Sequence, residues 1–345
     1  MKTNAQRPTS NAQRPTSKSQ RPTSKSQRPT SNAQRRVLCT GHVFLGTLCL
    51  LFGVRVSAEV EATPRFVENA GEYVTLANVV GNQGYDFGFQ VGEDLIYKIY
   101  WGWIRVGKSR IVTRWVEKAG KRYVAILHRT RSGSVISAIY PVDDRIESIV
   151  DPDTFLPVKF TKNLREGRHR SHETTTFDFE KKEAHWVSFI KQTEKTYAIK
   201  KDTRDMLSFL YNMRSMKFKQ GDVMKAEVMA DEKLYDLEVH AYEVEEVRTK
   251  GFGKVKARKL EPKAKFNGLF VRKGKMNTWG SLDDRFVAAR IEADLPFANV
   301  KVLLSEVHGP GDDFWTRKTR ERLDNGEKDD EDEASVDAAL RELDQ

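Results

Sequence analysis

Cysteine is nearly absent from this chain. Cys39 and Cys49 are the only two, and both lie within the first 58 residues. A chain cut after those residues therefore has no thiol, no disulfide and no thiolate ligand for a metal ion. Freedom from cysteine suits an oxidising compartment, where a stray thiol forms unwanted disulfides.

Acidic residues are missing from the first 58 residues, which hold ten lysines and arginines. The formal charge of the whole chain is +10, so this leader accounts for the entire basic excess. The excess is therefore no evidence that the rest of the chain binds nucleic acid, and no nucleic-acid partner is expected. Residues 321–345 hold eleven acidic and three basic residues, which leaves residues 59–320 mildly basic. That excess favours contact with an anionic membrane surface, and a mixed solvated surface is the alternative.

Motifs for catalysis and nucleotide binding are also lacking. The sequence has no Gly-x-Ser-x-Gly elbow, phosphate-binding loop, dinucleotide fingerprint or zinc-protease motif. His169 and His172 are neighbours in sequence, but on a strand they would point to opposite faces, which spoils chelation. No cofactor and no metal site are therefore predicted.

The leader has two parts. Residues 4–31 are four tandem heptads of the types NAQRPTS and KSQRPTS, and the proline in every copy prevents a continuous helix. Arg35-Arg36 then precede an apolar stretch over residues 43–56. Val56-Ser57-Ala58 fits a signal-peptidase site, so we expect cleavage after Ala58 and a periplasmic protein without a lipid anchor. A retained membrane anchor is the alternative.

Alternating strand patterns dominate the rest of the chain. The sequence predicts a lead-in over residues 59–86, an antiparallel β domain over residues 87–310 and a disordered acidic tail over residues 316–345. One helical apolar stripe interrupts the strands, from Asp205 to Ser215, with a capping residue at its start. The predicted fold is mainly β, as a single large curved antiparallel sheet or an open barrel-like β domain with one short helix.

The stretch Gly92–Val112 is the strongest strand signal. Apolar residues alternate at its start, which predicts a half-buried strand. A break at Arg105–Gly107 then predicts a hairpin. We interpret four of the alternating residues as the lining of a cavity for an apolar chain, with a filled core as the alternative. These four are Tyr97, Ile99, Trp101 and Trp103.

The tripeptide Asp-Asp-Arg occurs twice, each time before a predicted strand. The two copies are Asp143, Asp144 and Arg145, and Asp283, Asp284 and Arg285. Paired carboxyl groups are suited to acid–base chemistry or to a hard cation, provided that both loops meet at one rim. The alternative is that these are turn acids, each paired with a nearby arginine.

Several segments together are similar to a known family. They are Gly92–Tyr97 with Trp101-Gly102 and Val106-Gly107, Ile139–Ser148 with Asp151 and Leu156-Pro157, Phe177–Phe179, Asp205–Arg214, and Trp279 with Asp283–Arg285 and Arg290-Ile291. From Phe87 to Val307 the chain resembles domain-of-unknown-function family 3108, a bacterial family of exported proteins. The resemblance implies an envelope protein with a curved antiparallel β architecture. It implies no activity and no catalytic residue.

Three functions remain open from the sequence. The favoured hypothesis is a non-enzymatic periplasmic protein that binds an apolar or lipid-like envelope component within the curved sheet. The first alternative is a solid-core scaffold that holds an unidentified protein partner in envelope assembly. The second alternative is an envelope hydrolase that uses the Asp-Asp-Arg loops.

Overall fold

The computed structural model describes residues 74–75, 87–230, 232–266, 269–270, 275–295 and 298–326. The predicted signal peptide, most of the lead-in and the chain after residue 326 lie outside these ranges. Within the described ranges, no helix is both long enough and apolar enough to cross a membrane.

The described residues form one sheet of 17 strands. In chain order the strands are β1 (Val74–Thr75), β2 (Asp94–Trp101), β3 (Ile104–Lys118), β4 (Lys121–Ser132), β5 (Asp143–Val150), β6 (Pro157–Glu166), β7 (His169–Asp178), β8 (Glu183–Ser188), β9 (Thr193–Ala198), β10 (Arg204–Asp205), β11 (Val223–Ala230), β12 (Lys233–Arg248), β13 (Lys254–Phe266), β14 (Leu269–Phe270), β15 (Lys275–Ser281), β16 (Ala288–Leu295) and β17 (Ala298–His308). The helices are α1 (Ser134–Ile139), α2 (Met206–Arg214) and α3 (Phe314–Asp324).

The strands form an antiparallel meander with a single parallel pair. Strands β2 to β9 pair in chain order, and so do β10 to β17, with β13 paired to both β14 and β15. Strand β17 joins the two halves by pairing with β2, with Leu304 opposite Tyr97. The parallel exception is β10 with β11. The predicted fold class is confirmed as mainly β in one large sheet, although three helices accompany it rather than one.

The two end regions of the sheet are joined by side chains. Glu232 at the β11–β12 turn accepts a hydrogen bond from Lys195 of β9 at 2.7 Å, and its carbonyl oxygen accepts one from the Tyr197 hydroxyl at 2.7 Å. Lys200 reaches Asp236 of β12 at 2.7 Å. Since β9 and β12 are far apart in the strand order, these contacts require the sheet to curve back on itself around an interior.

Strand β2 differs from its prediction in burial and in where it ends. Tyr97 and Ile99 are buried on the inner face, but Ile96 and Lys98 are buried on the other face, so the strand is not half-exposed. The hairpin turn lies at Gly102-Trp103 rather than at Arg105–Gly107, because Gly102 adopts a positive φ of 60° that closes the turn.

Helix α2 begins where the sequence predicts. The Asp205 carboxylate accepts hydrogen bonds from the amides of Leu207 at 2.8 Å and Ser208 at 2.9 Å, and the Ser208 hydroxyl accepts one from the Asp205 amide at 3.1 Å. This is a capping box. The Ser148 hydroxyl of β5 donates to the same carboxylate at 2.5 Å, which ties the start of α2 to the sheet.

Helix α3 corrects the predicted onset of the disordered tail. Residues 316–324 are helical, and Asp313 caps the helix by accepting a hydrogen bond from the Thr316 amide at 3.0 Å. Trp315 is buried, and the Thr319 hydroxyl accepts a hydrogen bond from the Val307 amide of β17 at 3.0 Å. The charged composition suggested disorder because only a few residues of this helix face the sheet.

Candidate functional site

The strand directions place each turn at one of two ends of the sheet. The β2–β3 turn, the segment that carries α1, and the β6–β7 and β8–β9 turns lie at one end, which we name the Trp103 end. Glu93, which precedes β2, lies at the opposite end, together with the β15–β16 loop and α3. We name this the Glu93 end.

A buried ion cluster occupies the Glu93 end. Glu93 is fully buried, and its carboxylate binds the Arg214 guanidinium through both oxygens, one of them at 2.9 Å. The Arg285 guanidinium lies 3.0 Å from Glu93 and 2.9 Å from Asp313. Burial opposes the charge on Arg214, but the Glu93 carboxylate outweighs this effect and raises the pKa of Arg214.

The segment before β2 packs tightly on α2 and holds the cluster in place. The ring of Phe89 lies 5.3 Å from the Arg214 guanidinium, and the ring of Tyr211 lies 5.0 Å from it on its own helix. Gly88 has a φ of 68°, and a Cβ there would lie 2.5 Å from the carbonyl oxygen of Arg214. Only glycine permits this close approach of the two backbones.

A cavity of about 80 Å³ lies beside the cluster, between α2 and the inner face of the sheet. Most of its wall is apolar, from Leu95, Ile111, Leu210, Met213, Leu260, Met276, Gly280, Phe286, Ala288, Ile291 and Val302. The remaining lining residues are Tyr97, Ser109, His128, Tyr211, Arg214 and Thr278. An apolar wall with a few polar groups is typical of small-molecule sites.

Two polar atoms of this wall lack hydrogen bonds of ordinary geometry within the described residues. His128 is buried, and its Nε2 lies 2.7 Å from the Ser109 hydroxyl and 3.2 Å from the Thr130 hydroxyl, but its Nδ1 has no partner. The Tyr211 hydroxyl has no partner of ordinary geometry, although it is close enough to the Arg214 guanidinium to oppose the rise in its pKa that burial causes. Burial lowers the pKa of His128 to about 4, so the imidazole is neutral at pH 7. Such groups require an oxygen from water or from a ligand.

The four residues predicted to line a cavity are divided by the structure. Tyr97 lines it, whereas Ile99 is buried in the neighbouring apolar core. Trp101 and Trp103 are 42% and 63% exposed at the Trp103 end, so the prediction that they face the interior is wrong. The strand ends at Trp101, and a register shift after Ile99 disrupts the alternation on which the prediction depended.

Sequence reasoning missed His128 and Tyr211. The motifs and alternating patterns in the sequence mark neither residue as part of a site. The only available signal was a lone histidine among the apolar residues of β4.

The two Asp-Asp-Arg loops lie at opposite ends of the sheet. Asp143 at the Trp103 end binds Arg129 at 2.8 Å and Arg131 at 3.3 Å, and Arg145 lies 3.8 Å from it. Asp144 is buried and accepts a hydrogen bond from the Arg165 amide at 2.8 Å. The carboxylates of the two loops therefore do not converge, which removes the geometric basis of the predicted hydrolase site.

The second loop belongs to the Glu93 end. Asp283 accepts hydrogen bonds from the Ser281 hydroxyl and from the indole of Trp315, while Arg285 is part of the ion cluster. The side chain of Asp284 is fully exposed, with Lys217 at 3.6 Å. Each acid of this loop thus has a local partner, but in neither case is that partner the arginine that the alternative predicted.

A second polar cluster lies inside the sheet at the Trp103 end. Burial raises the pKa of Asp144 to about 6, against the opposing hydrogen bond from the Arg165 amide. Nearby, Lys162 and Glu173 form a buried ion pair at 3.0 Å.

Among the described residues, no three His, Cys, Asp or Glu side chains are placed to hold a metal ion together.

Comparison with known families identifies the chain. Residues 96–305 match the model of a family described as a protein of unknown function, DUF3108. The chain belongs to this family. The predicted membership is confirmed, and the match spans most of the sheet, including the inner face that lines the cavity.

Comparisons with curated proteins and with solved structures say less about this member of family 3108. No curated protein matches it. A β-barrel-like protein of the family DUF1849 from Brucella abortus is 11% identical over 64% of this chain and 98% of its own, with a TM-score of 0.43. A protein from Bacteroides fragilis, described as exported and with a YmcC-like fold, is 9% identical over 65% of this chain and 99% of its own, with a TM-score of 0.27. Likeness at these scores establishes no shared function.

Replacing Arg214 with methionine should strongly destabilise this family member. The substitution leaves the Glu93 carboxylate buried with only part of its compensation, which costs about 3–5 kcal/mol. Chemical denaturation measures the free energy of unfolding. Arg110→Met is the matched control, because Arg110 bonds Asp94 at the surface and such pairs contribute about 0–1 kcal/mol. Equal losses in the two variants would contradict the role given to the cluster.

Asp144 and His128 should contribute opposite pH dependences to stability. The pKa of Asp144 is raised in the folded chain, so the folded state binds more protons than the unfolded state does. The contribution of Asp144 to the free energy of unfolding therefore falls as pH rises from about 4 to about 6. The pKa of His128 is lowered, so its contribution rises with pH between about 4 and 6.5.

The variant Asp144→Asn separates the two effects. Its stability relative to the wild type should increase by on the order of 2 kcal/mol between pH 4 and pH 7. Denaturation at a series of pH values checks this. The stability of His128→Gln relative to the wild type should decrease over the same pH range. A pH-independent difference for Asp144→Asn would refute the assignment.

Proposed function

We propose that this protein is an exported, non-enzymatic binding protein whose cavity beside α2 takes a neutral, mainly apolar molecule that carries one hydrogen-bonding oxygen. One observation carries the proposal. Two residues that line the apolar cavity each have a buried polar atom with no hydrogen bond of ordinary geometry in the described part of the chain, namely His128 Nδ1 and the Tyr211 hydroxyl, which is also close to the Arg214 guanidinium. A ligand oxygen would give such an atom a partner, and apolar carbons would fill the remaining space.

The charges around the cavity favour a neutral ligand. Arg214, the one lining residue with a fixed charge, is already bound to Glu93. The imidazole of His128 is neutral at pH 7 because burial lowers its pKa to about 4. An ionised carboxylate in this cavity would be buried without a countercharge of its own, which is costly.

The volume of the cavity limits what it accepts. A cavity of about 150 Å³ with an apolar lining is enough to hold benzene. The cavity of about 80 Å³ therefore fits a short chain or one segment of a lipid-like molecule. A longer ligand would require α2 to move away from the sheet.

A solid-core scaffold is the second candidate function. Away from the cavity the interior is packed around large buried side chains such as Trp115 and Trp186. Such a core needs no ligand for its stability. If the cavity binds only water, the scaffold is the function that the remaining observations support.

Binding of n-alkanols should depend on the Tyr211 hydroxyl. Affinity measured by calorimetry should rise about fourfold per methylene until the cavity is filled and then level off. Tyr211→Phe should bind alkanols about five- to tenfold more weakly while keeping or increasing its stability, because it removes an unpaired buried hydroxyl.

Two controls make this test specific. Tyr123→Phe, at a site outside the cavity lining, should bind as the wild type does. Ala288→Leu, which fills the cavity, should abolish binding, whereas Ala198→Leu on the exposed strand β9 should not. Unchanged binding in Ala288→Leu would rule out this cavity as the site.

Export is supported by the leader sequence and should be visible at the new N-terminus. Expressed with its leader in a Gram-negative host, the protein should be found in the periplasm with Glu59 as its first residue. Ala58→Phe should block cleavage, because the peptidase requires a small residue there. Intact-mass measurement distinguishes the cleaved protein from the uncleaved one, and full-length protein retained in the cytoplasm would refute export.

A further inference from the structure

Large apolar side chains are exposed at the turns of the Trp103 end. Trp103 lies in the β2–β3 turn, and Trp101 precedes it at the end of β2, with exposures of 63% and 42%. Ile139 at the end of α1 is 70% exposed, and Phe189 at the turn before β9 is also exposed. Three separate turns at one end of the sheet therefore present apolar groups to the solvent, which the fold itself does not require.

Basic side chains surround these apolar groups. Lys108 and Arg131 face each other across β3 and β4, and both are exposed. Arg105 lies opposite Tyr100, one residue beyond the start of β3, and Arg168 is exposed in the β6–β7 turn. The acids near this group are Asp143, which contacts three arginines, and Asp294, which lies opposite Asn299 of β17. The basic side chains around the tryptophans therefore outnumber the acids.

The Glu93 end also has exposed apolar residues, but its exposed charges are mixed. Leu282 and Phe314 are about half exposed there. The exposed residues near them in sequence include the acids Asp283 and Asp284 and the bases Arg317 and Lys318. Of the six tryptophans, only Trp101 and Trp103 at the Trp103 end are exposed, so this end alone combines exposed tryptophan with basic neighbours.

We infer that the Trp103 end docks on the surface of a membrane that contains anionic phospholipid, with Trp101, Trp103 and Ile139 at the level of the head groups. Tryptophan is favoured at this depth because its ring is apolar while its indole N–H can still bond to water or to head groups. Lysine and arginine add attraction to anionic lipid over about a Debye length. The two contributions come from the same end of the sheet, from its turns and from the ends of strands β3 and β4.

This inference is independent of the proposed ligand. The cavity lies between α2 and the inner face of the sheet, whereas the docking residues lie on turns outside it. A protein with an empty cavity would dock equally well. Loss of docking and loss of alkanol binding are therefore separate results from separate variants.

Vesicle sedimentation with the mature protein that begins at Glu59 tests the inference, because the basic leader would bind anionic vesicles by itself. The protein should sediment with vesicles of phosphatidylcholine mixed with phosphatidylglycerol, far less with phosphatidylcholine alone, and less at high salt. Tryptophan emission should shift to the blue on binding. The signal is specific, because Trp115, Trp186, Trp279 and Trp315 are buried and only Trp101 and Trp103 change their surroundings.

The variants separate the apolar and the charged contributions. Trp103→Ser, by itself or combined with Trp101→Ser, should weaken the partitioning of the protein onto the vesicles by about tenfold or more. It should also remove the blue shift of the tryptophan emission. Lys108→Glu should weaken it by about fivefold and reduce its dependence on salt. The matched control is Leu282→Ser with Phe314→Ser at the Glu93 end, which should sediment as the wild type does. All of these side chains are exposed, and thermal unfolding should show that every variant remains folded.

Three results would overturn the inference. They are equal sedimentation with both kinds of vesicle, an unshifted tryptophan emission on sedimentation, and equal losses in the double variants of the two ends. The first result would remove the charge argument, the second would show that the indoles stay in water, and the third would show that docking is not confined to the Trp103 end.

Discussion

The structure depends on how one carboxylate is buried. Glu93 has no access to water, so its charge must be compensated by protein groups. Arg214 and Arg285 supply this compensation from α2 and from the β15–β16 loop, and Arg285 extends the contact to Asp313 before α3. One charge therefore fixes the positions of four segments that are distant in the chain, and two of them, α2 and the β15–β16 loop, form part of the cavity wall.

The ion cluster also determines the chemistry of the interior beside it. Because Arg214 is neutralised by Glu93, the wall that it forms has no net charge to offer a ligand. The polar groups left available are the neutral His128 and Tyr211, so the selectivity of the cavity depends on hydrogen bonding and shape. The opposite half of the interior differs, since Lys162, Glu173 and Asp144 make it polar.

The sequence predicts what local pattern determines and misses what long-range contacts determine. Strands such as β12 follow from alternation, and helix α2 follows from its apolar stripe and from the Asp205 cap. Strand β9 is mostly polar and almost wholly exposed, and it is held by its pairing with β8 and by contacts with Glu232. The Glu93–Arg214 pair joins residues 121 positions apart, and no local signal marks it. The exposed tryptophans were misplaced because alternation does not reveal where a strand ends.

The two ends of the sheet separate the proposed cavity from the proposed docking surface. A chain that entered from a membrane at the Trp103 end would have to pass the side chains of Asp144 and the Lys162–Glu173 pair. Those groups are buried, and displacing their partners with apolar carbons would leave charge uncompensated. The cavity lies instead beside the ion cluster, where Leu210 and Met213 of α2 form part of its wall. Under the two proposals together, a protein docked by Trp103 would therefore hold its cavity toward the end of the sheet that faces away from the bilayer.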